Sequence, residues 1–210
     1  MKPVFSTLIS ALLLLASSLS FANDSFKQGE HYQLLATPPS SKAQVVEYFS
    51  YYCPFCYNFE PIVAELKKAL PEGTPLNKVP VSFLGGNMAA TIQRAHATAE
   101  LLQVEDAFAA ALFNQIHQQR KAPQSRGDIT KLFASIGVEQ PQLDAEFNSM
   151  VVNSMITQYD AEVSAAGIRS VPSFVVNNKY LVNISAVSSQ EQFNALVNYL
   201  LVLPAEAKTE

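Results

Sequence analysis

The chain has 210 residues, 49% of them hydrophobic and 15% charged, with 14 basic against 18 acidic side chains. That apolar share excludes general disorder, and an acidic balance without a basic block argues against nucleic acid as a partner. Cys53 and Cys56 are the only 2 cysteines, too few and too close in sequence for a disulfide scaffold.

Met1 to Ala22 reads as a secretory signal peptide. It has an early cation (Lys2), an apolar stretch (Leu8 to Ala16) and the small-residue end Ser20-Phe21-Ala22. Removing 22 of the 210 residues leaves 188, with 13 basic against 18 acidic side chains and a charge of −5. The apolar stretch is short for a membrane span, and no later run approaches ~18 apolar residues. The expected mature chain is therefore soluble, with length for one core and a large insertion.

In chain order, Tyr32 to Leu35 is a short strand and Thr37 to Ser41 a loop. Gln44 to Ser50 is a β-branched and aromatic run, read as a buried strand. After Cys53-Pro54-Phe55-Cys56 the period becomes helical, with Phe59, Ile62, Val63, Leu66 and Leu70 on one face. Pro61 should kink this helix. Asn77 to Leu84 reads as a second strand, blemished by Pro80. From Met88 to about Ala166 the pattern is helical. Nine alanines fall within residues 87–119, and four or five helices fit the block. Asp128 is a candidate cap, Gly137 a stop, and Leu143, Phe147, Met150 and Val151 mark one further helix running on towards Val163. Phe174 to Val176 and Lys179 to Asn183 form a hairpin about Asn177-Asn178, and Gln190 to Leu203 is a closing helix.

Strand, Cys-x-x-Cys, helix is the informative order. It puts Cys53 at the first turn of a helix, among free backbone N–H groups that stabilise a thiolate. Cys56, one turn further in, is expected to be more buried. An exposed sulfur paired with a shielded one suits thiol–disulfide exchange. Half of a zinc site would need a second ligand pair, and His31, His96 and His117 are scattered. A structural bridge over two residues restricts little of the unfolded chain. His96 and His117 are expected on helix faces without a catalytic task.

Val171-Pro172 precedes a predicted strand. Only ~5% of X–Pro bonds are cis, so alone it would read as trans. With Cys-x-x-Cys upstream it reads as cis, since in thioredoxin-type folds such a proline faces the cysteine pair. Glu47 stands in an otherwise apolar strand. Either it points to an exposed face, or it is a partly buried proton carrier under Cys56, with Lys78 and Glu60 as possible partners.

These residues resemble the DsbA family of bacterial thiol oxidases. The likeness runs through Glu47-Tyr48-Phe49-Ser50-Tyr51-Tyr52-Cys53-Pro54-Phe55-Cys56-Tyr57, Leu70-Pro71-Glu72-Gly73, Val81-Ser82-Phe83-Leu84-Gly85-Gly86, Phe147-Asn148-Ser149 and Gly167-Ile168-Arg169-Ser170-Val171-Pro172. It implies an α/β, thioredoxin-like fold with an inserted helical domain: a first part at 23–85, the helical domain at 86–166, and a second part at 167–210. Cys53 is then the nucleophile and Cys56 its partner. Val171 and Pro172 form the substrate-binding loop, and Pro54, Phe55, Glu47, Glu60 and Lys78 tune the centre.

Phe55 departs from the family's Cys-Pro-His-Cys pattern and removes an imidazole that could support the thiolate. The implied activity is periplasmic disulfide donation to exported proteins with free thiols, by a monomer without a bound cofactor or metal. Recycling would fall to a quinone-linked membrane oxidase of the DsbB type. A disulfide isomerase or reductase, and a peptide-binding chaperone module, are the alternatives.

Overall fold

A computed structural model describes Phe26 to Pro204; the signal-peptide reading of residues 1–22 lies outside the described residues. One five-stranded sheet has the order β1-β5-β4-β2-β3, built from β1 (Tyr32–Leu34), β2 (Val45–Phe49), β3 (Leu76–Pro80), β4 (Ser173–Val176) and β5 (Tyr180–Val182). β2 and β3 are parallel, with Glu47 opposite Lys78; the other pairings are antiparallel. All of β2 is buried, which explains its continuous rather than alternating apolar run.

On one face, Val45, Phe174 and Val176 pack with Val63 and Leu66 of α1 (Pro54–Ala69) and with Phe193 and Leu196 of α7 (Gln190–Val202). On the other, Val46, Tyr48 and Val175 pack with Val152 and Tyr159 of α6 (Met150–Ala165). Between β3 and β4 the chain forms α2 (Ala89–Leu101), α3 (Glu105–Phe113), α4 (Arg126–Ser135), α5 (Gln140–Phe147) and α6. A third apolar cluster joins Phe108, Phe113 and Phe133 of these helices to Phe49, Tyr51 and Cys56. The helices therefore share a core with the segment that carries the cysteines.

Several boundaries differ from the sequence reading. β3 ends at Pro80 rather than Leu84, because its partner β2 ends at Phe49, and the Val81 N–H to the Phe49 carbonyl at 2.8 Å is the last bond between them. Ser125, not Asp128, caps α4; Asp128 sits in the first turn and accepts from the Gln124 N–H and the Ser125 hydroxyl. Ser149 caps α6, accepting from the Val152 N–H, and so separates α5 from α6. As expected, α1 contains Pro61 within a single helix. The hairpin turn is as expected, with Asn177 and Asn178 at φ 53° and 56°.

β3 is an edge strand, and α2 lies along its open side. Gln93 Nε2 donates to the Pro80 carbonyl at 3.0 Å, and His96 Nε2 meets the Lys78 carbonyl at 3.2 Å. Residues two apart on the strand and three apart on the helix thus meet, covering carbonyls that would otherwise invite another strand. A carbonyl only accepts, so Nε2 carries the proton and the Tyr51 hydroxyl donates to His96 Nδ1, at 2.8 Å.

Two buried titratable groups oppose each other. Burial raises Glu47 from 4.5 to about 7, against the pull of Lys78. Burial and the Lys78 charge lower His96 from 6.5 to about 3. Folded Glu47 holds a proton that the unfolded chain has lost, so its contribution to stability falls as pH rises from 4.5 to about 7. Folded His96 lacks a proton that the unfolded chain holds, so its contribution rises with pH from about 3 to 6.5. The two slopes, each up to ~1.4 kcal/mol per pH unit, cancel where they overlap. Denaturant unfolding across that window should show stability of Glu47→Gln rising with pH relative to the parent, and stability of His96→Gln falling. Curves parallel to the parent would contradict both assignments.

Candidate active site

β2 delivers the chain into a turn at Ser50–Tyr52, closed by the Cys53 N–H to the Ser50 carbonyl at 3.0 Å. The Ser50 hydroxyl also accepts from the Tyr52 N–H at 3.2 Å. Gly85 packs against this turn. An added Cβ there would come within 2.5 Å of the Tyr52 ring, so the close approach of the β3–α2 loop requires glycine.

Cys53 is the N-cap of α1 rather than a member of its first turn, with extended backbone (φ −89°, ψ 114°). Its Sγ accepts from the Cys56 N–H at 3.2 Å. Pro54 occupies the first helical position, where a missing N–H costs nothing. The two sulfurs are not bonded to each other in this structure.

The expected contrast in exposure is nearly absent: Cys53 is 4% exposed and Cys56 0%. The difference between the sulfurs is electrostatic. Cys53 has a backbone donor aimed at it. Burial, with the Cys53 sulfur and the Glu47 charge adding to it, pushes the Cys56 thiol far above the usual range. Cys56 therefore stays protonated.

The Val171–Pro172 bond is cis, as the sequence suggested. The Val171 carbonyl lies 3.5 Å from Cys53 Sγ, a contact that favours thiol over thiolate. It is longer than the N–H contact, and sulfur is a weak donor. Val171, Pro172, Phe55, Phe59, Leu181 and Ile184 line a cleft of about 440 Å³ beside the cysteines. Phe55 is 74% exposed at its rim.

Glu47 is fully buried, which decides between the two readings of its strand position. Lys78 Nζ lies 3.1 Å from its Oε2 and 2.5 Å from Glu60 Oε1, and 4.7 Å over the Phe49 ring. Neither Glu47 oxygen receives a well-aligned hydrogen bond among the described residues, so the Lys78 charge is the main offset to its desolvation. Burial alone would lower Lys78, but the Glu47 and Glu60 charges more than offset it and raise it. Lys78 remains a cation between the partly exposed Glu60 and the fully buried Glu47.

Sequence reasoning missed the histidines. His96 is buried and bonded to Tyr51. His117 Nε2 meets the Tyr51 carbonyl at 2.8 Å. Both partners are set by packing between distant elements, so no local signal could reveal them.

Comparison with known proteins gives a consistent answer. A family model described as a DSBA-like thioredoxin domain matches residues 44–198. The thiol:disulfide interchange protein DsbA of Escherichia coli K12 is 34% identical over 209 residues, 95% of this chain and 98% of that protein. The disulfide oxidoreductase DsbA of Proteus mirabilis superposes with a TM-score of 0.79 at 34% identity, covering 85% of this chain and 98% of that one. A Proteus DsbA variant with a non-covalently bound peptide superposes at 0.80, with 33% identity and 85% and 99% coverage. With its cysteine pair at the head of α1 facing a cis proline, this chain belongs to the DsbA-like thioredoxin family and is a thiol:disulfide oxidoreductase.

Proposed function

We propose that the oxidoreductase acts as a disulfide donor to exported proteins in the periplasm. The observation that carries this reading is the Cys56 N–H directed at Cys53 Sγ, 3.2 Å away at the head of a helix. In the resting enzyme Cys53 and Cys56 are joined. A substrate thiolate attacks Cys53 Sγ, forming a mixed disulfide while the bond to Cys56 breaks. Cys56 takes up a proton, because its burial disfavours the anion. A second substrate thiolate attacks the substrate sulfur of the mixed disulfide. Cys53 leaves as a thiolate, the substrate keeps its new disulfide, and two electrons remain on the enzyme.

Only the reduced state carries the charge, so each contact with that anion favours reduction of the enzyme and makes it more oxidising. A charge-assisted hydrogen bond contributes about 2 kcal/mol and a helix terminus about 1. Together that is on the order of 65 mV at ~30 mV per 1.4 kcal/mol.

The cleft beside Val171 and Pro172 supports recognition of an extended peptide. The Val171 N–H has no hydrogen-bond partner among the described residues, and so is free to receive a substrate carbonyl. The peptide-bound Proteus relative supports the same use. Glu47, Lys78 and Glu60 run from the core outward, an arrangement suited to delivering the proton that Cys56 takes up.

The leader expected at Met1 to Ala22 supports the periplasmic assignment, and the family likeness supports a monomer reoxidised by a DsbB-type quinone-linked membrane protein. Residues 86–166 then serve as an inserted helical domain, and the cysteine pair suffices without a bound cofactor.

Two predictions follow from this chemistry. Cys53→Ser should abolish oxidation of a reduced, unfolded client, whereas Cys56→Ser should trap a client–Cys53 mixed disulfide on a non-reducing gel. Client oxidation at the parental rate by Cys53→Ser would leave only peptide binding. Phe55→His restores an imidazole beside the thiolate and should raise the equilibrium constant for reduction by glutathione about threefold; an unchanged or lower constant would contradict the electrostatic account.

A further inference from the structure

The helical segment after α3 widens into a π-helical turn at Asn114–Gln118. Such turns are rare and concentrate at functional sites. This one brings two consecutive side chains onto the residues that flank the cysteine pair. His117 Nε2 lies 2.8 Å from the Tyr51 carbonyl, and its ring stacks on Tyr57 with centroids 4.9 Å apart and planes 10° apart. Gln118 Nε2 donates to the Tyr57 hydroxyl at 2.8 Å. Because the Tyr51 carbonyl only accepts, His117 must present Nε2–H to it.

Tyr51 is two residues before Cys53, and Tyr57 immediately follows Cys56. The Tyr51 hydroxyl is tied to His96 at 2.8 Å. The Tyr57 N–H donates to the Cys53 carbonyl at 3.1 Å. His117 thus touches both arms of the loop that carries the two sulfurs, and it does so from outside the sheet and α1.

A bonded Cys53 sulfur carries no charge, so the Cys56 N–H directed at it, 3.2 Å away, contributes less in the oxidised enzyme than in the reduced one. A contact made in the dithiol geometry shifts the equilibrium only by the amount that it weakens in the other state. We infer that His117 is a positioning residue for the dithiol, holding Tyr51 and Tyr57 so that the cap at Cys53 stays aligned with the head of α1 in the reduced enzyme. The inference rests on the exchange chemistry proposed above.

The test is the equilibrium with glutathione. Oxidised enzyme and two glutathione thiols give reduced enzyme and one glutathione disulfide, with two electrons and two protons passing to the enzyme. His117→Phe keeps a ring over Tyr57 but removes the donor; His117→Gln keeps an N–H donor without the ring. Relative to the parent, His117→Phe should lower the equilibrium constant about threefold, or ~14 mV at ~30 mV per tenfold. His117→Gln should restore the constant towards the parental value. Should His117→Phe not fold, His117→Ala takes its place in the comparison.

A parental constant in the donor-less variant, or a shift in His117→Gln as large as in His117→Phe, overturns the inference. So does a lowered melting temperature with the constant unmoved, which would mark a purely structural residue. The parental constant itself tests the donor reading, whereas the ratios between variants test His117, so the two failures are distinguishable.

Discussion

One backbone N–H organises the chemistry of this protein. The Cys56 amide is among those that a helix leaves unpaired at its start, and β2 ends so that Cys53 Sγ lies 3.2 Å away to receive it. Much of the surroundings serves that alignment. Pro54 begins the helix without wasting a donor, the Ser50 turn fixes the approach of Cys53, and Gly85 lets the neighbouring loop close over Tyr52. The sheet and α1 supply the direction, while the helices between β3 and β4 brace the turn through Tyr51.

The same construction keeps the second sulfur neutral. Cys56 and Glu47 are both withdrawn from water, and burial raises both. A buried carboxylate without an aligned donor is a liability for stability, and under the proposed mechanism it stands where a proton is needed. Lys78 limits that cost without removing it, and the Glu60 charge adds to it. The buried His96, neutral because burial and Lys78 both disfavour its cation, contributes an opposing pH dependence and closes the edge of β3. Stability and redox chemistry here draw on one small cluster of charges rather than on separate regions.

What was legible in the sequence follows from the range of the forces involved. The buried run of β2, the period of α1, the paired asparagines of the hairpin and the cysteine spacing are local patterns, and each landed where expected. Val171-Pro172 was readable only in combination with the cysteines upstream. The caps were half readable: Ser125 and Asp128 are both good capping types, and three-dimensional geometry assigns the cap to Ser125. Cys53 was expected to be open to solvent, but Val171 and the third apolar cluster close over it. The roles of His96 and His117 depend on partners 45 and 66 residues away, beyond any local signal.

The central claim is that the contact at Cys53 Sγ favours the reduced enzyme enough to make the Cys53–Cys56 bridge a ready donor. The direct measurement is the reduction potential of the parental protein, titrated with glutathione at neutral pH. The account predicts a value less negative than about −200 mV. A value at or below about −270 mV, in the range of a reductant or a structural bridge, would contradict it.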